Sequence, residues 1–159
     1  MPAVEHTLGQ LKGAKYKTKL DCVSGFWQVL LSEDSKKLTT FITPFGRFCF
    51  RRLPFGISSA PEFFQKIFFQ ILEGLPGVAN HIDDILIWGE TIQEHDTRLR
   101  AVLQRLNQNN ITLNASKCQF CVQETTFLGH RILADFVQIC RKPLPNYQPL
   151  RMFQMSDLS

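Results

Sequence analysis

Residues 78–88 read Val-Ala-Asn-His-Ile-Asp-Asp-Ile-Leu-Ile-Trp. Apolar arms flank an acidic pair, and no other stretch limits the possible folds as much. Strand formers on either side of a short polar break predict a β-hairpin with Asp83 and Asp84 at or beside its turn. Taken alone, the pair has a plain explanation, because Asp side chains bond their own backbone in turns. Asp21 shifts the balance. It lies in Lys19-Leu20-Asp21-Cys22, a short predicted strand leading into Gly25-Phe26-Trp27, and aspartate is depleted from strands. If that strand lies beside the hairpin, three carboxylates converge. Left unneutralised they repel, and at least one pKa must rise. Divalent cations remove the conflict. Two Mg²⁺ ions about 4 Å apart can activate an attacking hydroxyl and stabilise a leaving oxygen in a phosphoryl displacement.

The flanking sequence supplies a frame for such a site. Phe41-Ile42-Thr43 and Arg47 to Leu53 are expected as strands joined at Pro44-Phe45-Gly46. Ser59, Pro61 and Glu62 mark a helix start with a capping box. Phe63, Phe64, Ile67, Phe68, Ile71 and Leu72 form its core face, and Gly74 and Pro76 end it. Thr91 and Glu94 offer a second capping box, with Leu99, Val102, Leu103 and Leu106 as the buried stripe. Ile111 to Leu113, Phe120 to Val122 and Phe127 to Ile132 are expected as later strands. The sum is an α+β domain, an antiparallel sheet covered by helices. At 159 residues and 44% hydrophobic, the chain can build one real core. The expected domain spans residues 1–134. Residues 135–159, with Pro143, Pro145 and Pro149, are expected to be a poorly ordered tail.

Composition narrows the partners. A net charge of +4 and a pI near 8.9 suit nucleic acid without demonstrating it. Arg47, Arg51 and Arg52 alternate with Phe48 and Phe50, a pattern that suits phosphates and stacked bases, or equally a strand with one wet face. No apolar run approaches the ~20 residues of a membrane helix, so no membrane partner is expected. Five cysteines with no secretory signal are expected as reduced thiols in an intracellular chain. Cys118 and Cys121 form a lone C-x-x-C that lacks two further zinc ligands, and buried strand cysteines are the simpler reading.

The ordered motifs are identifiable. Lys19 to Gln28 resembles the first catalytic motif of reverse transcriptases from gypsy-type long-terminal-repeat retrotransposons. Thr40 to Gly46, Arg52 to Pro61, the His81-Ile82-Asp83-Asp84 hairpin, Leu113-Asn114 with Lys117-Cys118, and Phe127 to His130 follow in family order. The match spans roughly Pro2 to Leu133. The resemblance implies a partial right-hand polymerase palm and fingers with a catalytic β-hairpin. It implies an RNA-directed DNA polymerase using two Mg²⁺, with Mn²⁺ as a substitute. Asp21, Asp83 and Asp84 would be the metal ligands, and Lys117 the proton donor to pyrophosphate. Phe26 would be the ring beneath the deoxynucleotide sugar, with Phe55 and Gly56 lining the nucleotide. Phe127, Leu128, Gly129 and His130 would form the primer grip, with His81 also near the primer. The implied partners are an RNA or DNA template with its primer, and deoxynucleoside triphosphates.

The pattern departs from the family at His81, where a tyrosine is usual, and it fades after Leu133. Thumb, ribonuclease H and integrase motifs are expected on other Pol segments, so the chain is expected to be a truncated element. An inactive transposon relic, or a fragment that only binds nucleic acid, is the competing reading. An RNA-dependent RNA polymerase palm, which shares paired aspartates, is disfavoured by Phe26 and the Leu53-Pro54-Phe55-Gly56 run.

Overall fold

The computed structural model describes residues 9, 11, 13–133, 136–139 and 153–154. Strand β5 (Asp84–Gly89) lies inside a four-stranded sheet, with β4 (Val78–His81) on one side and β1 (Tyr16–Asp21) on the other. Strand β6 (Gln119–Val122) continues the sheet beyond β1. All three pairings are antiparallel. The apolar run in β5 has a direct cause: both faces of the sheet are covered. Successive side chains of a strand point to opposite faces. Ile85 and Ile87 enter one core with Leu20, Phe64, Phe68, Val102 and Leu106. Leu86 and Trp88 enter a second core with Leu11, Ala14, Phe127 and Ile132.

The first core is closed by two helices. Helix α2 (Ala60–Leu72) buries Phe64, Phe68 and Leu72. Helix α3 (Ile92–Gln108) buries Val102 and Leu106, with Leu99 and Leu103 partly covered. Phe63 departs from the expected core face and is half exposed. The short helix α1 (Glu33–Leu38) and the hairpin of β2 (Phe41–Thr43) and β3 (Gly46–Phe48) stand apart from the main sheet. The second core is covered by β7 (Thr125–Phe127) and β8 (His130–Ile132), which pair with each other.

Several boundaries differ from the sequence reading, each for a hydrogen-bonding reason. The strand expected over Arg47 to Leu53 ends at Phe48. Beyond it, Arg51 O accepts from Leu31 N–H, Leu53 N–H donates to Val29 O, and Phe50 N–H donates to Thr39 Oγ1. These partners draw the chain away from β2. Ile111 to Leu113 is not a strand. It is tied down by a single bridge between Cys22 and Leu113 and by the Gln28 side chain, which bonds both backbone groups of Thr112. Phe127 to Ile132 is broken by a two-residue turn, Leu128-Gly129, with φ of +54° and +73°, the twist that suits a tight hairpin.

The region from residue 135 onward contributes two strands among its described residues. Strand β9 (Phe136–Ile139) pairs with β8, and β10 (Phe153–Gln154) pairs with β9. The rest of the expected tail lies outside the described residues.

The helix starts differ from one another. Thr91 is an extended N-cap whose Oγ1 accepts from Glu94 N–H at 3.2 Å. Glu94 Oε2 accepts from Glu90 N–H, one residue before the cap. Ser59 is already helical in its backbone, with φ −85° and ψ −8°, and its hydroxyl makes no cap bond. The expected capping box at Ser59 and Glu62 is therefore absent. Thr91→Ala is expected to destabilise the protein by about 1 kcal/mol, whereas Ser59→Ala should stay within about 0.5 kcal/mol. Urea unfolding of the two variants against the parent measures the contrast.

Candidate active site

The register of the central strands assembles the acids. Asp21 stands directly opposite Asp84 in the β1–β5 ladder, and His81 opposite Asp84 in the β4–β5 ladder. This leaves Ile82 and Asp83 as the turn. Ile82 takes φ +48°, a costly conformation for a β-branched residue. The helix α2 residue Gln65 holds it there. Its Oε1 accepts from Ile82 N–H at 2.7 Å, and its Nε2 donates to Asn80 O at 3.1 Å. One buried amide thus clamps both sides of the hairpin end.

Further bonds fix the backbone of each acid. Cys22 N–H donates to Asp83 O, Asn114 N–H donates to Asp21 O, and Asp21 N–H is directed at Cys118 Sγ at 3.5 Å. Gly25 is required by close approach: a methyl group there would overlap Asp83 Oδ1 and come within 2.8 Å of Phe64 Cζ.

The three carboxylates are not equivalent. Asp84 Oδ2 is paired with Lys19 Nζ at 2.9 Å. Asp21 Oδ1 faces Lys117 Nζ at 3.8 Å, an ion pair too long for a hydrogen bond. Asp83 Oδ1 is buried with no partner, and with Asn80 Nδ2 it is one of two such atoms among the described residues, both on this hairpin. Burial raises the Asp83 pKa, and the charges of Asp21 and Asp84 raise it further against a smaller opposing pull from Lys117. The same field reaches Cys22, whose thiol is pushed up to about 12, first by burial and then by Asp83 and Asp21. The hairpin end is thus a negative focus with an unsatisfied oxygen. Among the described residues, however, no three His, Cys, Asp or Glu side chains close on a common point. Asp83 carries the unpartnered oxygen, Asp21 is only loosely paired with Lys117, and Asp84 is engaged by Lys19.

The other expected residues divide. Phe26 lies against Phe64 and Phe55, with ring centroids 5.3 and 5.2 Å away, and is only partly buried. Phe55 is exposed, and Gly56 has φ +91°. Lys117 is exposed apart from its pairing with Asp21. His81 is exposed at the end of β4. Phe127 is sealed in the second core, and it anchors the β7–β8 hairpin rather than facing outward. Leu128, Gly129 and His130 form the presented part. His130 is partly buried, and its Nδ1 donates to Leu128 O at 2.8 Å.

Cys118 is partly buried against Asp21 and Cys121 is exposed, so the C-x-x-C is not a pair of buried strand thiols. Four positions carry structure to which the sequence reading gave no role: Gln65, Gly25, Lys19 and the fully buried His95. His95 Nδ1 lies 3.0 Å from Asp96 Oδ1, and its Nε2 lies 2.8 Å from Thr18 Oγ1, which also accepts from Cys121 N–H. This network ties α3 to β1 and β6.

An antiparallel sheet backed by two helices, with an acidic hairpin turn beside a third strand carboxylate, defines the palm of a right-hand polymerase. The comparisons give the family. Residues 2–132 match the family described as reverse transcriptase (RNA-dependent DNA polymerase), and the chain belongs to it. It is 37% identical over 140 residues to the retrovirus-related Pol polyprotein from transposon opus of Drosophila melanogaster, covering 87% of this chain and 14% of that protein. It is 34% identical over 135 residues to the enzymatic polyprotein of cauliflower mosaic virus (strain Strasbourg), covering 83% of this chain and 20% of that protein.

Among solved structures, it resembles the foamy viral protease-reverse transcriptase in complex with an RNA/DNA hybrid. The TM-score is 0.73 with 30% identity, over 84% of this chain and 19% of that one. The same viral protein in complex with double-stranded DNA gives 0.72 and 31%, over 81% of this chain and 23% of that one. The chain thus spans a fifth or less of the length of these two curated relatives.

The raised Asp83 pKa makes a stability prediction. A carboxyl whose folded pKa lies above its unfolded value opposes folding once ionised, so the penalty grows as pH rises through the gap between the two. Asp83→Asn removes the charge. In chelator at pH 7 the variant is expected to unfold at a higher urea concentration than the parent. The gap should close as pH falls below the ordinary carboxylate range. Equal midpoints at pH 7 would refute the assigned repulsion.

Proposed function

We propose that this chain carries the catalytic centre of an RNA-directed DNA polymerase from a gypsy-type long-terminal-repeat retrotransposon. The observation that carries the reading is Asp83 Oδ1, buried and unpartnered on a strained turn beside Asp21. A buried carboxylate oxygen without a protein partner calls for a water or an ion, and beside two further carboxylates a cation also relieves the repulsion. The orphaned oxygen and the repulsion at Asp83 fit a divalent cation held by Asp83 and Asp21, and Mg²⁺ suits oxygen donors of this kind. When bound, two such ions lower the pKa of a hydroxyl and neutralise charge on phosphate oxygens.

The reaction is nucleotidyl transfer. A primer 3′-hydroxyl attacks the α-phosphate of a deoxynucleoside triphosphate. A new phosphodiester bond forms, the bond to the β-phosphate breaks, and pyrophosphate leaves. The protein positions the reactants. Phe26, in contact with Phe64 and Phe55, would lie beneath the sugar of the incoming nucleotide, where its ring would leave no room for a 2′-hydroxyl. The exposed Phe55-Gly56 loop lines the same nucleotide. Lys117, 3.8 Å from the Asp21 carboxylate, would give a proton to the leaving pyrophosphate. The Leu128-Gly129-His130 turn would hold the primer. Structural relatives solved with an RNA/DNA hybrid and with double-stranded DNA support a primer–template as partner. Thumb, ribonuclease H and integrase segments of a longer Pol protein would be further partners.

Primer extension on an RNA template with Mg²⁺ tests the reading. Extension is expected, and a folded chain that extends nothing is the inactive relic. Asp83→Asn should abolish extension. Survival within about tenfold, a barrier change of only ~1.4 kcal/mol, would remove Asp83 from the site. Phe26→Ala is expected to admit ribonucleotides, as read from the ratio of ribo- to deoxynucleotide incorporation.

A further inference from the structure

Gln28 closes the short 3₁₀ turn Gly25–Gln28 that carries Phe26. Its side-chain amide is committed wholly to backbone. Nε2 donates to Val23 O at 2.5 Å and to Thr112 O at 3.0 Å, and Oε1 accepts from Thr112 N–H at 2.7 Å. One side chain thus pairs both backbone groups of Thr112, as a neighbouring strand residue would. Val23 N–H adds a bond to Thr112 O at 3.0 Å. The turn is fixed from its other side, because Arg52 Nη1 donates to Trp27 O at 3.0 Å and to Gln28 O at 3.4 Å. Gln28 is only partly buried, and water could satisfy its amide, so the turn itself does not require these bonds.

The loop held in this way is not part of the sheet. Residues 110–114 form no strand, Asn110 takes φ +56°, and Leu113 makes a single bridge to Cys22. Its start is tied to α3, where Ile111 N–H donates to Leu106 O at 3.0 Å. Its far end reaches the acids. Asn114 N–H donates to Asp21 O at 2.8 Å, and Lys117 N–H donates to Asn114 O at 3.0 Å. Ser116 Oγ donates to Asn114 Oδ1 at 2.7 Å within the same turn. Lys117 Nζ then stands 3.8 Å from Asp21 Oδ1, with its side chain 66% exposed. A lysine on a flexible, solvated stem has little of its own to fix its ammonium. Its place depends on the backbone that carries it.

We propose that Gln28 is a positioning residue for Lys117: its amide holds the 111–117 loop so that the ammonium stays beside Asp21. The proton-donor role of Lys117 rests on the polymerase reading; the clamp on the loop does not. Gln28 touches no reactant and acts through the backbone it binds. It joins two stretches distant in sequence, since it shares a turn with Phe26 and the loop carries Lys117. A nucleotide over Phe26 and a proton donor at Lys117 would then keep a fixed separation. The clamp matters because a misplacement of about 1 Å in a reacting group can slow a reaction about a hundredfold.

Gln28→Met keeps the length of the side chain and removes all three bonds. Gln28→Glu keeps the acceptor toward Thr112 N–H but sets a charged oxygen against two carbonyls. Single-turnover primer extension is measured for both, for Lys117→Ala, and for Lys117→Ala combined with Gln28→Met. Each Gln28 variant should lower the maximal rate about ten- to a hundredfold, with half-saturating nucleotide changed by less than about threefold. The combined variant should match Lys117→Ala alone within about twofold, because the two residues act as a unit. A merely structural role would multiply the two losses, and that result overturns the proposal. So does a Lys117→Ala variant as fast as the parent. Amide hydrogen exchange of the full chain tests the clamp without extension. Thr112, Asn114 and Lys117 should exchange about tenfold faster in Gln28→Met than in the parent. Unchanged exchange at Asn114 and Lys117 overturns the clamp. Faster exchange in a chain whose parent extends nothing supports the clamp and removes the polymerase reading alone.

Discussion

Register in the β1–β5 ladder decides where every charge of the palm falls. With Leu20 opposite Ile85 and Asp21 opposite Asp84, the apolar members face the α2–α3 core and the acids collect at one end. A slip of one residue would exchange the faces. Leu20 and Ile85 would leave the core, and Lys19 and Asp21 would enter it. The register is held from several directions. Two separate cores claim alternate residues of β5. His95 fastens Thr18 to α3. Asn114 and Cys22 close the backbone around Asp21 and Asp83. Hydrophobic burial thus sets the position of groups that repel one another.

The hairpin end opposes folding locally. It combines a β-branched residue in the left-handed region, a carboxylate with a raised pKa and two buried atoms without partners. Each is unfavourable by itself, and together they persist only because the surroundings leave the chain no alternative. Gln65 is central to that restraint. Its two bonds reach the residues on either side of His81, so the turn is held by a rigid helix rather than by its own preferences. Gly25 then lets the neighbouring backbone approach Asp83 more closely than any side chain would allow. Sites that must receive a charged ligand are commonly built this way, with stability given up at the point of contact and recovered in the packing behind it.

The pattern of residues revealed the parts of this arrangement that rest on local rules. The apolar arms of Val78 to Trp88 announced the hairpin, and helical spacing announced Phe64, Phe68, Val102 and Leu106 as core. The ordered motifs announced the family. What could not be read depended on partners distant in the chain. Ser59 looks like a cap, but Ala60 N–H donates to Ile57 O, and the serine is already helical. Arg47 to Leu53 looks like one strand, but Val29, Leu31 and Thr39 take its later hydrogen bonds. Phe127 reads as a binding residue within its motif and proves to be core, because β7 packs its inner face on Leu86 and Trp88. Gln65 follows two phenylalanines in a helix and carries no local sign of its role. Only the turn 17 residues later gives it one.

Charge is divided along the molecule in a way that composition conceals. The net +4 includes five basic residues in 35–61, of which Lys36 and Lys37 pair with Glu33 and Asp34 just outside that stretch. Elsewhere, Asp21, Asp83 and Asp84 meet two lysines, Lys19 and Lys117, so the hairpin end stays negative. A polyanion is repelled by such a focus and attracted by Arg47, Arg51 and Arg52, so its approach is steered to the basic end first. A small cation experiences the opposite field. The row of rings from Phe48 to Phe26 spans these two regions.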